Sequence, residues 1–181
     1  MEKSIKGTYL LIGLLLVAMF TIQITNHKFE YYKERFGDYQ SIPVKVIEQR
    51  LNCLALNIYR EAGHEPFEGK VAVAQVTLNR VAHPDFPKDI CSVVYQKNIF
   101  MEKAVCQFSW YCDSVHRVRP INSAAYKESY EVAKKVMFEG FRLDGVKNAL
   151  YYHADYVKPN WRHERVAKIG AHIFYNERTE K

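Results

Sequence analysis

Among the acids of this chain, Glu61 stands in the setting best suited to proton transfer. Leu51, Leu54, Ala55, Ile58 and Ala62 recur around it at helical spacing. On a wheel of 100° per residue they fall within about 60° of Leu51, and Glu61 falls about 80° to one side. A carboxylate at the border of an apolar stripe, in the last turn of its helix, is partly desolvated. Desolvation raises its pKa, which is what a general acid needs near neutral pH. Gly63, His64 and Glu65 follow, a short break in which the chain turns and exposes backbone. From periodicity alone, however, an ordinary helix-surface glutamate is the stronger reading.

A second cluster, Gln107-Phe108-Ser109-Trp110-Tyr111, gathers amide, hydroxyl and indole groups. Sugar sites use that mixture, with flat aromatic faces against pyranose rings and polar tips for hydroxyl and acetamido groups. A core-packed aromatic loop accounts for it equally well. The seven histidines are scattered and form no HExxH word, so no metal and no other cofactor is expected. Cys106 with His153 could form a Cys/His amidase, a nucleophile and base distant in sequence but adjacent in space. Against this stands the cysteine count. Cys53, Cys91, Cys106 and Cys112 are even in number, lack a C-x-x-C pair, and all follow a long apolar run. They are read as two disulfides in an oxidising compartment, with three connectivities open.

The elements that must hold these groups begin near Val46. The first helix is expected over Val46–Ala62, ended by Gly63. A second, about Pro66–Val81, buries Phe67, Val71, Ala74, Leu78 and Val81, with Pro66 in its first turn. A mixed segment runs to Cys112. A third helix is expected from Ser123 to Gly140, with Tyr126, Tyr130, Ala133 and Met137 along one face. After the Asp144-Gly145 turn, Ala149–His153 and Lys168–Tyr175 read as two strands. The fold class is α+β, helices first and a small antiparallel sheet last.

Ahead of this domain lies an anomaly of composition. Of 181 residues 25% are charged, yet Gly7 to Asn26 contains no Asp, Glu, Lys or Arg. Twenty helical residues span about 30 Å, the hydrocarbon thickness of a bilayer. No small-residue cleavage site follows Ala18, so residues 1–26 are read as an uncleaved signal anchor, a transmembrane helix. Residues 27–45, polar and aromatic, read as a stalk, and 46–181 as one globular domain. The formal net charge of +6 suits an anionic polymer or membrane surface and is too weak to imply nucleic acid.

Several words of the sequence, taken in order, are recognisable. LALNIYREAGHEPFEGKVAVAQVTLNRVAHPDFPKDICSVVY over Leu54–Tyr95, CQFSW over Cys106–Trp110, Tyr151-Tyr152-His153 with Pro159 and Trp161, and IGAHIFY over Ile169–Tyr175 resemble the spore-cortex-lytic-enzyme family of cell-wall hydrolases (SleB/CwlJ type). The resemblance implies a peptidoglycan-cleaving domain related to lysozyme-like lytic transglycosylases, with one essential glutamate, which falls on Glu61. It implies a substrate site that includes Gln107, Phe108, Ser109, Trp110, Tyr152 and His153. The partner it implies is peptidoglycan; the apolar run adds the inner membrane, and the cysteines and the position of the wall put the catalytic domain on the periplasmic side. Such an enzyme would serve phage lysis or cell-wall remodelling. A muramidase-type hydrolase, a Cys/His amidase and a non-catalytic wall-binding module are the alternatives. Gly63-His64 and Lys70 depart from the family's usual residues at positions expected beside the cleft, which bears on substrate preference.

Overall fold

The structure, a computed structural model, describes residues 12–27, 42–100 and 103–178. The chain divides into two units, Met1–Val44 and Lys45–Lys181. In the first, a helix over 12–27 (α1) exposes apolar side chains all round, among them Leu15, Val17 and Phe20. Its length corresponds to about 24 Å. Among the described residues no helix is long and apolar enough to cross a membrane. The start of the expected anchor and most of the expected stalk lie outside the described residues.

In the second unit α2 runs Val44–Ala62, two residues earlier than its apolar period suggests, and buries Leu51, Leu54, Ala55, Ile58 and Ala62 as expected. Pro66 stands at the N-cap of α3, Phe67–Ala82, just ahead of the first turn. Of the residues expected to be buried in α3, Val71 and Ala74 are, whereas Phe67, Leu78 and Val81 are half-buried, and Val71 to Thr77 are buried without a break. The cause is its central position. Val71 and Ala74 face the core shared with Leu54, Ile58, Val93 and Val136, while Ala72 and Val76 face a second core with Val146, Ala149 and Phe174. A helix with apolar layers on both sides carries no polar face to reveal its orientation.

The segment to Cys112 contains more order than its pattern suggested. α4 (Ile90–Val94) starts at Asp89, whose carboxylate accepts the Cys91 and Ser92 N–H groups. A hairpin of β1 (Lys97–Phe100) and β2 (Lys103–Cys106) follows, then α5 (Ser109–Cys112) and α6 (Ser114–Val118). α7 occupies Ser123–Phe138, capped by the Asn122 side-chain Oδ1, which accepts the Ala124 and Ala125 N–H groups, and ended before Gly140, whose φ of 68° only glycine adopts readily.

The expected strand Lys168–Tyr175 is in fact two. β4 (Glu164–Ile169) and β5 (His172–Asn176) form a tight hairpin through Gly170, which has φ 58°. With β3 (Tyr151–Ala154) they make a three-stranded antiparallel sheet in the order β3-β5-β4. The turn was hidden because apolar residues continue on both sides of a single glycine. The α+β class stands, with this sheet joined by the small β1-β2 sheet.

Candidate active site

The end of α2 carries Glu61 to the floor of a cleft of about 590 Å³. The cleft is walled by three further segments: Gln107–Trp110, the β3 residues Tyr151–Ala154, and the loop through Trp161. Every residue expected in the site from the sequence lines this one cavity. Glu61 is half-buried and lines both the cleft and an adjoining recess. Burial raises its pKa above the ordinary carboxylate value. The Tyr152 hydroxyl, which donates to Oε2 at 2.9 Å, and the charge of Arg80 offset part of that rise. Tyr152 is itself driven well above the usual tyrosine range by burial and by the neighbouring carboxylate.

Arg80 is the residue that periodicity missed. It is 3% exposed, with Nε donating to the Leu150 carbonyl oxygen at 2.8 Å and the guanidinium lying 4.9 Å from the Phe108 ring centre. Burial lowers its pKa, and the charges of Tyr152 and Glu61 oppose that. A signal was present: Gln75, Thr77, Asn79 and Arg80 interrupt an otherwise apolar helix, and polar groups inside a fully packed helix must have partners. Gln75 and Asn79 meet the chain around Leu143–Ala149, and Thr77 meets Asn57.

The aromatic cluster divides into support and surface. Phe108 and Trp110 are buried, and the Trp110 indole N–H is spent on Asn57 Oδ1 at 2.9 Å. The Asn57 amide in turn donates to Thr77 Oγ1 at 3.2 Å, and that hydroxyl donates to the Val73 carbonyl oxygen. The loop is thereby fastened to α2 and α3 through buried polar bonds, and Gln107 and Ser109 are the members left facing outward. A Cys106–Cys112 disulfide closes the same loop, while Cys53–Cys91 ties α2 to α4. Cys106 has no free thiol, so the Cys/His amidase alternative is overturned. His153 is also committed: Nδ1 donates to the Ala154 carbonyl oxygen at 2.8 Å, and Nε2 contacts the Tyr175 hydroxyl at 2.8 Å.

Trp161, 44% exposed, stands edge-on to Tyr151 and His153 and gives the cleft an open indole face. Asp113 is the other acid on the lining, but its carboxylate caps α6 and binds His116 Nδ1 at 2.7 Å, which lowers its pKa. Lys70, expected beside the cleft, is instead buried between α3 and α7 in an ion pair with Glu128 at 2.8 Å. Among the described residues, the group spaced for metal ligation is His83, Asp85 and Glu177, and none of these lines the cleft.

The Cell Wall Hydrolase family model matches residues 64–175, beginning just after Glu61. The spore cortex-lytic enzyme of Bacillus cereus is 29% identical over 138 residues, covering 74% of this chain and 47% of that protein. The spore cortex-lytic enzyme of Bacillus subtilis is 29% identical over 128 residues, covering 68% and 36%. The chain thus spans less than half the length of these curated relatives. Among solved structures, the catalytic domain of the Bacillus cereus SleB protein matches with a TM-score of 0.52 at 30% identity, over 71% of this chain and 91% of that one. The catalytic domain of the germination-specific lytic transglycosylase SleB from Bacillus anthracis matches with the same score and identity, over 70% and 93%.

Proposed function

This chain belongs to the cell wall hydrolase family, and from that premise we propose that it cleaves the glycan strand of peptidoglycan between N-acetylmuramic acid and N-acetylglucosamine. The reaction is a lytic transglycosylation with Glu61 as general acid and then base. The observation that carries this reading is the setting of Glu61, a desolvated carboxyl on the floor of an aromatic-walled cleft with a tyrosine hydroxyl upon it. Burial favours the protonated form, which donates to the glycosidic oxygen as the C1–O bond breaks. The Tyr152 hydroxyl and the Arg80 charge then stabilise the carboxylate left behind. The muramoyl 6-hydroxyl closes on C1, and its proton returns to Glu61. One carboxyl suffices for this sequence, whereas hydrolysis by the usual routes needs a second at a defined separation. Asp113 is poorly suited to that second role because its oxygens are taken by the α6 amides and His116. The name of the Bacillus anthracis neighbour points the same way.

Purified sacculi incubated with the protein should lose turbidity and release muropeptides with 1,6-anhydromuramic ends, while Glu61→Gln releases none. Reducing muramic ends would replace transglycosylation by hydrolysis. Binding to sacculi without release would leave only a wall-binding module.

The uncharged run Gly7–Asn26 fits this function as a signal anchor that keeps the catalytic unit outside the inner membrane, with residues 27–45 as its tether. Two features of α1 support that reading. Its apolar side chains are exposed on every face. Thr21 and Thr25 return their hydroxyls to backbone carbonyls at 2.8 Å, which leaves no hydroxyl of the helix unbonded in an apolar medium, although soluble helices make the same bond. So placed, the enzyme would serve phage lysis or wall remodelling. Full-length protein should stay with carbonate-washed membranes, and its appearance in the soluble fraction would refute the anchor.

A further inference from the structure

A second recess, of about 380 Å³, borders the cleft. Arg60, Glu61 and His116 line both, so the two cavities meet at the carboxyl. Their chemistry differs. Aromatic residues dominate the cleft, whereas the recess is lined by Arg119 and His64 together with the shared Arg60 and His116. Gly63 lines the recess with backbone alone, and a Cβ there would stand 2.5 Å from the Tyr59 carbonyl oxygen. Glu65, the other acid on this lining, is turned to the sheet: its Oε2 accepts the Ala171 N–H at 3.0 Å, and Oε1 lies 4.0 Å from His172 Nδ1.

The recess is built, with walls fixed by specific bonds. Arg60 Nη2 donates to the carbonyl oxygens of Arg117 and Arg119, at 3.3 and 2.9 Å, and the Tyr59 hydroxyl accepts the Asn122 N–H at 2.9 Å. These bonds fasten the segment after α6 to the end of α2. One cationic side chain on the lining remains available: Arg119 is exposed, and only its backbone carbonyl is engaged, by Arg60. A pocket with fixed walls and an available guanidinium is suited to carboxylates.

We infer that this recess takes the acidic peptide stem carried by the muramoyl residue, an inference that rests on the cleavage reading above. The muramoyl ring whose C1–O bond breaks must stand at Glu61. Its stem leaves from the lactyl ether on ring carbon 3, on the same sugar, and so begins where the recess begins. The aromatic cleft then receives sugar rings, and the cationic arm receives the carboxylates of the peptide. Specificity for muramic acid over N-acetylglucosamine at the reacting position follows from this second arm, because only muramic acid carries the stem.

The test compares kcat/KM on peptide-bearing glycan strands with kcat/KM on the same strands stripped of stems by an amidase and capped as methylamides, so that the freed lactyl carboxylate carries no charge. The wild-type protein should prefer stem-bearing strands by about tenfold, the size of one charge-assisted hydrogen bond. Arg119→Glu should bring that ratio to about one, and Arg119→Lys should retain most of it. A ratio near one in the wild type, or an unchanged ratio in Arg119→Glu with an unchanged circular dichroism spectrum, overturns the inference. Failure of the cleavage reading looks different: neither substrate would release a fragment.

Discussion

Replacing Tyr152 by Phe removes the one hydroxyl bonded to Glu61 and keeps the ring that packs edge-on against His172 and beside Phe174. The fold should survive, so the change isolates one hydrogen bond to a carboxylate, worth about 1.5–3 kcal/mol. The sign follows from which form the bond favours. Tyr152 donates to the ionised carboxyl and therefore opposes the rise in pKa that burial imposes. Without it Glu61 holds its proton to higher pH. A general acid must start protonated, so the alkaline limb of the kcat/KM profile should move upward by about one to two pH units. The same bond stabilises the anion left after proton donation, so kcat at the optimum should fall about tenfold or more. Initial rates of turbidity loss across the pH range, with a thermal melt as control, provide the measurement. An alkaline limb that stays in place or moves down, with kcat unchanged, would refute the assigned role of Tyr152 and weaken that of Glu61.

Glu61→Gln should stabilise the fold while abolishing activity. The folded-state pKa of Glu61 lies above its unfolded value, so the wild type loses stability as pH rises from below the unfolded value through the folded one, and glutamine does not. The two proteins should melt together in strong acid and separate at neutral pH, with the variant about 1 kcal/mol more stable, or about 2–4 °C higher in Tm. Equal melting at neutral pH would contradict the buried setting. Removing Cys53–Cys91, with its separation of 38 residues, should cost about 4 kcal/mol, and removing Cys106–Cys112, with a separation of 6, about 2 kcal/mol. The second loss should raise KM more than its stability effect explains, because that loop frames the cleft; denaturant titration with steady-state kinetics separates the two. Glu128→Ala should destabilise by about 2 kcal/mol by stranding the buried Lys70 ammonium. Lys70→Met should stay within about 1 kcal/mol, since Glu128 keeps water around it. Equal effects in chemical denaturation would place the pair outside the core.

Legibility in the sequence tracked how local the cause of each feature is. The face of α2 and the position of Glu61 could be read because an apolar stripe on one side of a helix repeats within the helix itself. α3 misled because its burial comes from two layers distant in sequence, which no period within Phe67–Ala82 encodes. Trp110 illustrates the same limit: an indole suits sugar or core equally until Asn57, more than fifty residues away, is seen to occupy its N–H. Arg80 was visible only as a polar interruption, because its meaning depends on Leu150, Phe108 and Glu61 arriving around it. The β4-β5 turn escaped because one glycine, Gly170, makes it.

The strand order β3-β5-β4 has a consequence for timing. β5 is the strand furthest along the described chain, yet it is the one that joins the other two. A chain emerging from the ribosome therefore presents β3, and with it Tyr152, long before β3 has a neighbour to hold it. Glu61 is synthesised early but gains its hydroxyl partner only when His172–Asn176 has been made and paired. The hydroxyl against Glu61 is thus set in place only as the last described strand is inserted. Under the proposed cleavage reaction, the order of the strands leaves the general acid without its partner until the sheet is whole.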